Sequence, residues 1–233
     1  MSKLLTTLLL TLWLSVGAAW AGDFEDGDAA YAKNDFTTAL RKYKSAAAQG
    51  SSWAQFTLGT MYHNGQGVVQ DYAEAMRWYK LAAAKGDEWA QYNLGVMHSK
   101  GQGVVQDYAE AVRWYKLAAA QGLAEAQFNL ALRYDNGQGV VQDYAEAVRL
   151  YKLAATQGNA EAQSNLGVMY DNGQGVVQDY TRAHMWFNLA AVKGHATAVK
   201  NRDIVAKRMT PQQIAEAQKL ARECQARNFK NCD

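Results

Sequence analysis

A glycine-rich octapeptide, GQGVVQDY, is the first candidate for chemistry, because it occurs four times, beginning at Gly65, Gly101, Gly137 and Gly173. Closely spaced glycines can bring backbone amides to a phosphate, and aspartate among other oxygen donors can bind calcium. A dinucleotide loop, however, needs a third glycine where this phrase has Gln70, and it follows a strand. A calcium loop needs alternating oxygen ligands and a closing glutamate. The phrase is therefore interpreted as a repeated structural turn.

Other residues with reactive side chains are few and scattered. The histidines at 63, 98, 184 and 195 have no metal-binding spacing, and no G-x-S-x-G, S-x-x-K or P-loop sequence occurs. We therefore expect structural or surface histidines, no metal, no cofactor and no enzymatic activity. Cys224 and Cys232 are the only cysteines, and in an exported chain they predict one disulfide, with two free thiols as the alternative.

The first 21 residues have the features of a secretory signal peptide. Lys3 precedes an apolar run from Leu4 to Val16, and Ala19-Trp20-Ala21 matches an A-x-A cleavage site. The run is shorter than the span of about 20 residues that crosses a membrane. We predict cleavage after Ala21, a periplasmic or secreted protein and no stable membrane insertion; a retained N-terminal anchor is the alternative. A net charge of +2 without a run of Lys or Arg argues against nucleic-acid binding.

The rest of the chain is built from an internal repeat of 36 residues. Each unit holds two stretches of helical apolar periodicity and no strand pattern. In the turn between them, the glycines end the first helix, the valines pack into the seam between helices, and Asp71 and its copies cap the second helix, whereas the glutamines have no evident structural role. Gly59, which Ala131 replaces in another copy, indicates close helix packing. We place five repeats at about 28–64, 65–100, 101–136, 137–172 and 173–208.

The C-terminal segment, residues 209–233, predicts a capping helix and a tail. Thr210, Pro211 and Gln213 match a capping box with proline at the first helical position. A polar-faced terminal helix is what a solenoid needs to shield its last repeat from water.

This pattern resembles the Sel-one-like repeat family, which is related to tetratricopeptide repeats. Residues 88–122, EWAQYNLGVMHSKGQGVVQDYAEAVRWYKLAAAQG, carry its alanine, leucine-glycine, glycine-loop and tryptophan-tyrosine positions, with His98 in place of a tyrosine. The resemblance implies an all-α, right-handed superhelical solenoid of helix-turn-helix repeats that binds proteins or peptides, in bacterial members often in envelope processes or contact with host cells. Some relatives with repeated cysteine pairs are linked to β-lactam binding or hydrolysis; this chain lacks those pairs, so a β-lactam-binding or hydrolysing enzyme is kept only as a distant alternative.

Comparison of the copies suggests where a partner binds. The positions that vary in the first helices share one face, opposite the constant stripe, and in this architecture the first helices line the concave side. The candidate binding residues are Trp53, Phe56, Thr60, Trp89, Tyr92, Val96, Glu125, Phe128, Leu132 and Ser164. Packing between repeats is the alternative for Phe56, Tyr92 and Phe128, and Trp78, Trp114 and Trp186 are interpreted as packing residues. A protein or peptide is the expected partner; a carbohydrate or peptidoglycan fragment is the alternative.

Overall fold

The computed structural model of the protein describes residues 22–230 and residue 232. The predicted signal peptide, residues 1–21, lies outside the described residues, so its cleavage stays a prediction. The described residues form α-helices and no β-strand. Residues 22–32 are α1, and the helices that follow are α2 (Phe36–Ala48), α3 (Ser52–Asn64), α4 (Tyr72–Ala83), α5 (Glu88–Lys100), α6 (Tyr108–Ala120), α7 (Ala124–Asn136), α8 (Tyr144–Thr156), α9 (Ala160–Asn172), α10 (Tyr180–Val192), α11 (Ala196–Ala206) and α12 (Pro211–Ala226).

The helices belong to two compact units, one ending at Gln106 and the other beginning at Asp107. Within the first unit α2, α3, α4 and α5 pack consecutively, and within the second α6 to α11 do the same, with α12 packed on α10. Small and aromatic side chains fill these helix contacts: Tyr43, Tyr79, Tyr115, Tyr151 and Phe187 are at most 2% exposed. The prediction of an all-α solenoid of helix pairs is confirmed. No helix in the described part of the chain is both long and apolar enough to cross a bilayer.

The glycine turns have the predicted backbone roles. Gly65 ends α3 in the left-handed conformation, with φ of 70°, and Asp71 begins α4 by accepting hydrogen bonds from the backbone N–H groups of Ala73 and Glu74 at 2.9 and 3.0 Å. The same caps recur at each later copy. The octapeptide is therefore a helix-to-helix connection in all four places.

The second glycine of the turn is a contact between repeats. A Cβ at Gly67 would lie 2.7 Å from the carbonyl oxygen of Phe36, and one at Gly103 would lie 2.9 Å from the backbone carbonyl carbon of Tyr72. Phe36 and Tyr72 are the first residues of α2 and α4, so each turn rests against the start of the preceding second helix. Backbone contact this close leaves room for glycine alone.

The structure corrects two expectations about this turn. The glutamine before the capping aspartate does have a structural role, because its side-chain amide donates to a carbonyl near the end of the first helix. These bonds join Gln70 to His63, Gln106 to Ser99, Gln142 to Asp135 and Gln178 to Asp171, at 2.6 to 2.8 Å. The second valine of each turn does not pack into a seam: Val69, Val105, Val141 and Val177 are 88 to 89% exposed.

Close packing explains the glycines inside the first helices, as predicted. A Cβ at Gly59 would lie 2.6 Å from the ring of Tyr79, and one at Gly167 would lie 2.7 Å from the ring of Phe187. The first connection of the chain also follows the prediction, because Asn34 adopts a left-handed φ of 60° where the other copies use glycine. The sequence differences at the N-terminal end thus preserve the helix-turn-helix geometry.

The C-terminal helix begins with the predicted capping box. The Thr210 hydroxyl accepts from the backbone of Gln213, and the Gln213 side chain accepts from the backbone of Thr210. After α12 the chain turns back, and the Phe229 ring lies 4.6 Å from the ammonium of Lys193 at the end of α10. Cys224 and Cys232 form the predicted disulfide in this structure.

Candidate functional site

Trp53 is the most exposed of the candidate aromatic residues. It is the second residue of α3, whose start is held by the Ser51 hydroxyl accepting from the backbone of Ala54. Its side chain is 50% exposed, and its ring centroid lies 5.6 Å from that of Phe56. Phe56 in turn lies 5.9 Å from the ring of buried Tyr79 on α4. Phe56 therefore anchors Trp53 to the core while leaving much of the indole in solvent.

The next first helix repeats this arrangement. Trp89 is the second residue of α5, which begins at the capping residue Asp87. It is 37% exposed and meets Tyr92 edge to face, with the ring centroids 6.2 Å apart. Because α3 contacts α5, the first unit presents two aromatic pairs on neighbouring helices. The name aromatic face is used below for Trp53, Phe56, Trp89 and Tyr92.

An open pocket borders the aromatic face. Its volume is about 680 Å³, and it is lined by Phe24 and Asp28 of α1, by Gly50 and the two serines that follow it, and by Trp53. The half-exposed indole therefore forms one wall of a concave surface that already has both an apolar ring and a carboxylate. Such pockets, mostly apolar with a few polar groups, are the usual shape of a binding site.

The candidate residues of the second unit are more enclosed. Glu125, Phe128 and Leu132 on α7 are half-buried, and the Phe128 ring lies 6.1 Å from the ring of Tyr151. Ser164 on α9 is buried at 3% exposure, so it offers no surface to a partner and leaves the set of binding candidates. Its helix contacts α8, α10 and α11.

A hydrogen-bonded carboxyl group lies beside Phe128. The Tyr151 hydroxyl donates to Asp135 Oδ2 at 3.0 Å and accepts from the Asn165 amide at 3.1 Å. Burial raises the pKa of Asp135, although the bond from Tyr151 opposes the shift. Burial and the nearby carboxylate also raise the pKa of Tyr151 above its ordinary value. The network joins α7, α8 and α9 by hydrogen bonds, and the raised pKa of Tyr151 means that its hydroxyl keeps its proton near neutral pH.

The remaining smaller candidates support the aromatic positions. The Thr60 hydroxyl lies 3.2 Å from the Tyr79 hydroxyl and donates to the carbonyl of Phe56, while Val96 is half-buried on α5. Hydrogen bonding to Thr60 lowers the pKa of Tyr79, but burial has the larger effect and raises it to about 12. The Tyr79 hydroxyl therefore keeps its proton, and the Tyr79 ring packs against Phe56 of the aromatic face.

The family tryptophans are packing residues, as predicted for them. Trp186 is 1% exposed, and Trp78 packs on the apolar cluster of α2 and α3 with the Arg77 guanidinium 4.3 Å from its ring. Among the described residues, the indole nitrogens of Trp78, Trp114 and Trp186 are buried and have no hydrogen-bond partner. In the described part of the chain these indoles are therefore held by packing instead of hydrogen bonds, and Trp78 also has the cation–π contact with Arg77.

A second repeated set, missed by the sequence analysis, ties successive helices together. Gln55, Gln91, Gln127 and Gln163 are at most 5% exposed, and their amides donate to the carbonyls of Ala47, Ala83, Ala119 and Ala155. Each therefore caps the C-terminal end of the preceding second helix. The repeated A-Q pair in each first helix is the sequence signal that could have revealed it.

The described residues contain no cluster of three or more histidine, cysteine or acidic side chains that could hold a metal ion. His195 caps α11 by accepting from the backbone of Ala198, and His184 is buried in α10, where burial lowers its pKa. The candidate site presents exposed aromatic rings, half-buried apolar side chains and few polar groups, which are features of a binding surface.

Comparison with known proteins agrees with this structure. The Sel1 repeat profile matches residues 54–87, 90–123, 124–159 and 160–195, so it begins each copy at a first helix instead of at the turn. A Sel1 repeat protein from Oxalobacter formigenes is 31% identical, with a TM-score of 0.70 over 86% of this chain and 75% of that one. No curated protein matches the chain.

Two further solved structures are similar. A protective antigen of uropathogenic Escherichia coli strains, described as displaying this repeat fold, is 28% identical with a TM-score of 0.60; the match covers 91% of this chain but only 54% of that one. A putative Sel1 repeat protein from Klebsiella pneumoniae subsp. pneumoniae, 22% identical with a TM-score of 0.51 over 82% of this chain and 96% of that one, shares the fold. On its repeated helix pairs, its turn geometry and these matches, the chain belongs to the Sel1 repeat family.

Proposed function

We propose that the protein is an exported scaffold that binds a segment of another polypeptide on the aromatic face of its first unit. The observation that carries this proposal is the exposure of Trp53 and Trp89, 50% and 37%, at positions where later copies of the repeat have Glu125 and Glu161. A position that accepts glutamate does not need an indole for folding. Exposed tryptophans that folding does not require are typical centres of protein interfaces.

The chemistry of the aromatic face favours an apolar segment. Phe56 and Tyr92 orient the two indoles by ring contacts, so little side-chain freedom is lost when a partner binds. The adjoining pocket adds Phe24 and the carboxylate of Asp28, which donates nothing but accepts from the Tyr43 hydroxyl at 2.6 Å. A partner residue could pack an apolar side chain on Phe24 and donate a hydrogen bond to Asp28 from a neighbouring backbone N–H or hydroxyl.

The test begins with a partner captured from envelope extracts and then measures its binding to matched variants. Trp89→Ala removes an exposed ring, and we expect it to weaken binding by about 30-fold or more, as buried aromatic anchors do. Glu161→Ala at the equivalent position of α9 is the control and should change affinity far less. Circular dichroism of both variants should match the parent protein.

A different outcome would place the aromatic face in the core. If Trp53→Ala and Trp89→Ala unfold the protein while binding by the folded fraction persists, the rings are packing residues and the proposal is wrong. The alternative ligand, a glycan or peptidoglycan fragment, depends on the same two rings, since sugars also present apolar faces to an indole. Titration with peptidoglycan fragments separates the two ligand classes.

Export is the second part of this proposal and is supported by the signal-peptide features of the first 21 residues. Mass spectrometry of protein from the bacterial envelope or culture medium should find Gly22 at the N-terminus. A mature protein that retains the peptide containing Lys3 would instead indicate an anchored form.

A further inference from the structure

Two second helices lack the tryptophan that the other three share: α2 has Lys42 at this position and α8 has Leu150. Trp78, Trp114 and Trp186 occupy the same position of α4, α6 and α10, and Leu150 occupies it in α8. The rest of the α8 sequence, YAEAVRLYKLAAT, otherwise follows α6 closely. The change therefore replaces an indole with a much smaller isobutyl group in a helix whose other residues closely match those of α6.

The first unit shows what surrounds the tryptophan when it is present. Trp78 packs against a cluster that includes Ala47 at the end of α2 and Leu58 on α3. On the solvent side the Arg77 guanidinium stacks on its ring at 4.3 Å. The indole thus lies between an apolar floor and a cation.

In the second unit the corresponding place is a pocket. Ala119 and Leu130, 72 residues after Ala47 and Leu58, line a cavity of about 470 Å³ together with Leu150, Leu153 and Tyr134. Leu150 is itself only 2% exposed, so it forms part of the floor. The volume falls within the range of about 300–1,000 Å³ that is usual for ligand pockets.

The pocket has a hydrogen-bonded amide at its floor and charged side chains, more of them positive than negative, at its rim. The amide of buried Gln127 donates to the Ala119 carbonyl and accepts from Gln157, so the floor needs no further hydrogen bond. At the rim stand the cations Lys116 and Arg149 and one carboxylate, Glu146. Glu146 holds the Arg149 guanidinium by two bonds of 2.7 Å, in the position from which Arg77 stacks on its indole.

We propose that this pocket receives a tryptophan or phenylalanine side chain of a partner polypeptide, with an aspartate or glutamate beside it in the partner sequence. The choice of an aromatic side chain follows from Trp78, which fills the equivalent place in the first unit by apolar contact. Its indole nitrogen has no hydrogen-bond partner among the residues that the structure describes. The excess positive charge of the rim selects the acidic neighbour, since complementary charge favours encounter and register. The pocket is made by residues of the second unit and does not depend on the aromatic face.

The direct test is a titration of the full chain, labelled at leucine methyl groups, with the tripeptide acetyl-Asp-Trp-Asp-amide. We expect saturable shifts confined to the methyl signals around the pocket, those of Leu130, Leu150 and Leu153. The peptides acetyl-Asp-Leu-Asp-amide and acetyl-Lys-Trp-Lys-amide should bind at least about 10-fold more weakly, because one lacks the ring and the other repels the rim. An absence of saturable shifts at these methyl groups overturns the proposal.

Matched variants assign the binding to the pocket. Leu150→Trp places the family's indole in the cavity and should abolish binding of the tripeptide, while Leu81→Trp makes the same change on an exposed face of α4 and should leave binding unchanged. Trp89→Ala should also leave it unchanged, which separates this site from the aromatic face. If Leu150→Trp does not fold, Leu150→Phe and the shift map of the parent protein decide the question.

Three results would overturn the assignment. Binding that survives in a folded Leu150→Trp variant would show that the tripeptide binds elsewhere. Free indole that binds as tightly as the tripeptide would make the pocket a small-molecule site. Concentration-dependent self-association that both Leu150→Trp and Trp53→Ala abolish would make a second copy of this chain the occupant.

Discussion

The contact made by the second glycine of each turn can be tested at Gly67. A Cβ added there would lie 2.7 Å from the Phe36 carbonyl oxygen, and neither atom belongs to a flexible side chain. Gly86 is a matched control, because its φ is also positive, at 91° compared with 71°, but a Cβ added there has no described atom within 4 Å. The change Gly67→Ala therefore combines backbone strain with a clash, whereas Gly86→Ala adds strain alone.

The size of the difference follows from these two contributions. A left-handed conformation costs alanine about 1–2 kcal/mol, and a less flexible unfolded chain returns about 0.4–1 kcal/mol. Gly86→Ala should thus lower the free energy of unfolding by at most about 1.6 kcal/mol. The clash at Gly67 adds the cost of overpacking, about 1–3 kcal/mol, because the turn and the start of α2 must move apart. In a protein of this length, each kcal/mol corresponds to about 2–4 °C in the thermal midpoint.

Urea unfolding of the two variants and the parent protein, followed by circular dichroism, measures this difference. Hydrogen exchange should locate it: in Gly67→Ala the amides of α1 and α2 should exchange faster, because repeats are stabilised mainly by their neighbours. Equal unfolding midpoints for Gly67→Ala and Gly86→Ala would refute the idea that the close contact, and not the positive φ, excludes a side chain.

Two other features lead to measurable expectations. Because burial raises the pKa of Asp135, its stabilising contribution is present below its ordinary pKa of 3.8 and is lost as the pH rises through the raised value. Asp135→Asn should therefore gain stability relative to the parent protein as the pH rises from 3.8 through the raised pKa, in thermal midpoints measured across a pH series; a constant difference would contradict this. Reduction of Cys224–Cys232, eight residues apart, should add the mass of two hydrogen atoms and cost about 2.5 kcal/mol from loop entropy, seen as earlier melting of α12. A mass unchanged by reduction would show that the bond is absent.

The features best predicted from the sequence are those determined by local backbone geometry. The helix pairs, the aspartate caps, the glycine turns and the capping box of α12 all depend on residues close together in the chain, and all occur as predicted. The roles of the glutamines could not be assigned this way. Gln70 and Gln163 both donate to a carbonyl near the end of a helix. The Gln70 side chain lies at the surface, whereas Gln163 is buried where α9 packs on the end of α8.

Candidate binding residues were harder to assign, because variation between copies identifies a face without telling how much of each side chain is covered. Trp53 and Trp89 remain accessible, but Ser164, at the position equivalent to Phe56 and Tyr92, is buried. The cavity at Leu150 illustrates the reverse case. The replacement of tryptophan by Leu150 is visible in the sequence, yet only the packing of α6, α7 and α8 shows an open space beside it.

The repeated contact between a turn and the preceding second helix has a consequence for how the chain can evolve. Gly67 meets Phe36, Gly103 meets Tyr72, Gly139 meets Tyr108 and Gly175 meets Tyr144, so the same junction recurs with the same separation along the chain. A deletion or duplication of 36 residues, or a multiple of 36, joins surfaces that already fit each other. A change in the number of repeats therefore needs no new interface, whereas an insertion between a turn and the second helix that it contacts alters the separation on which the junction depends.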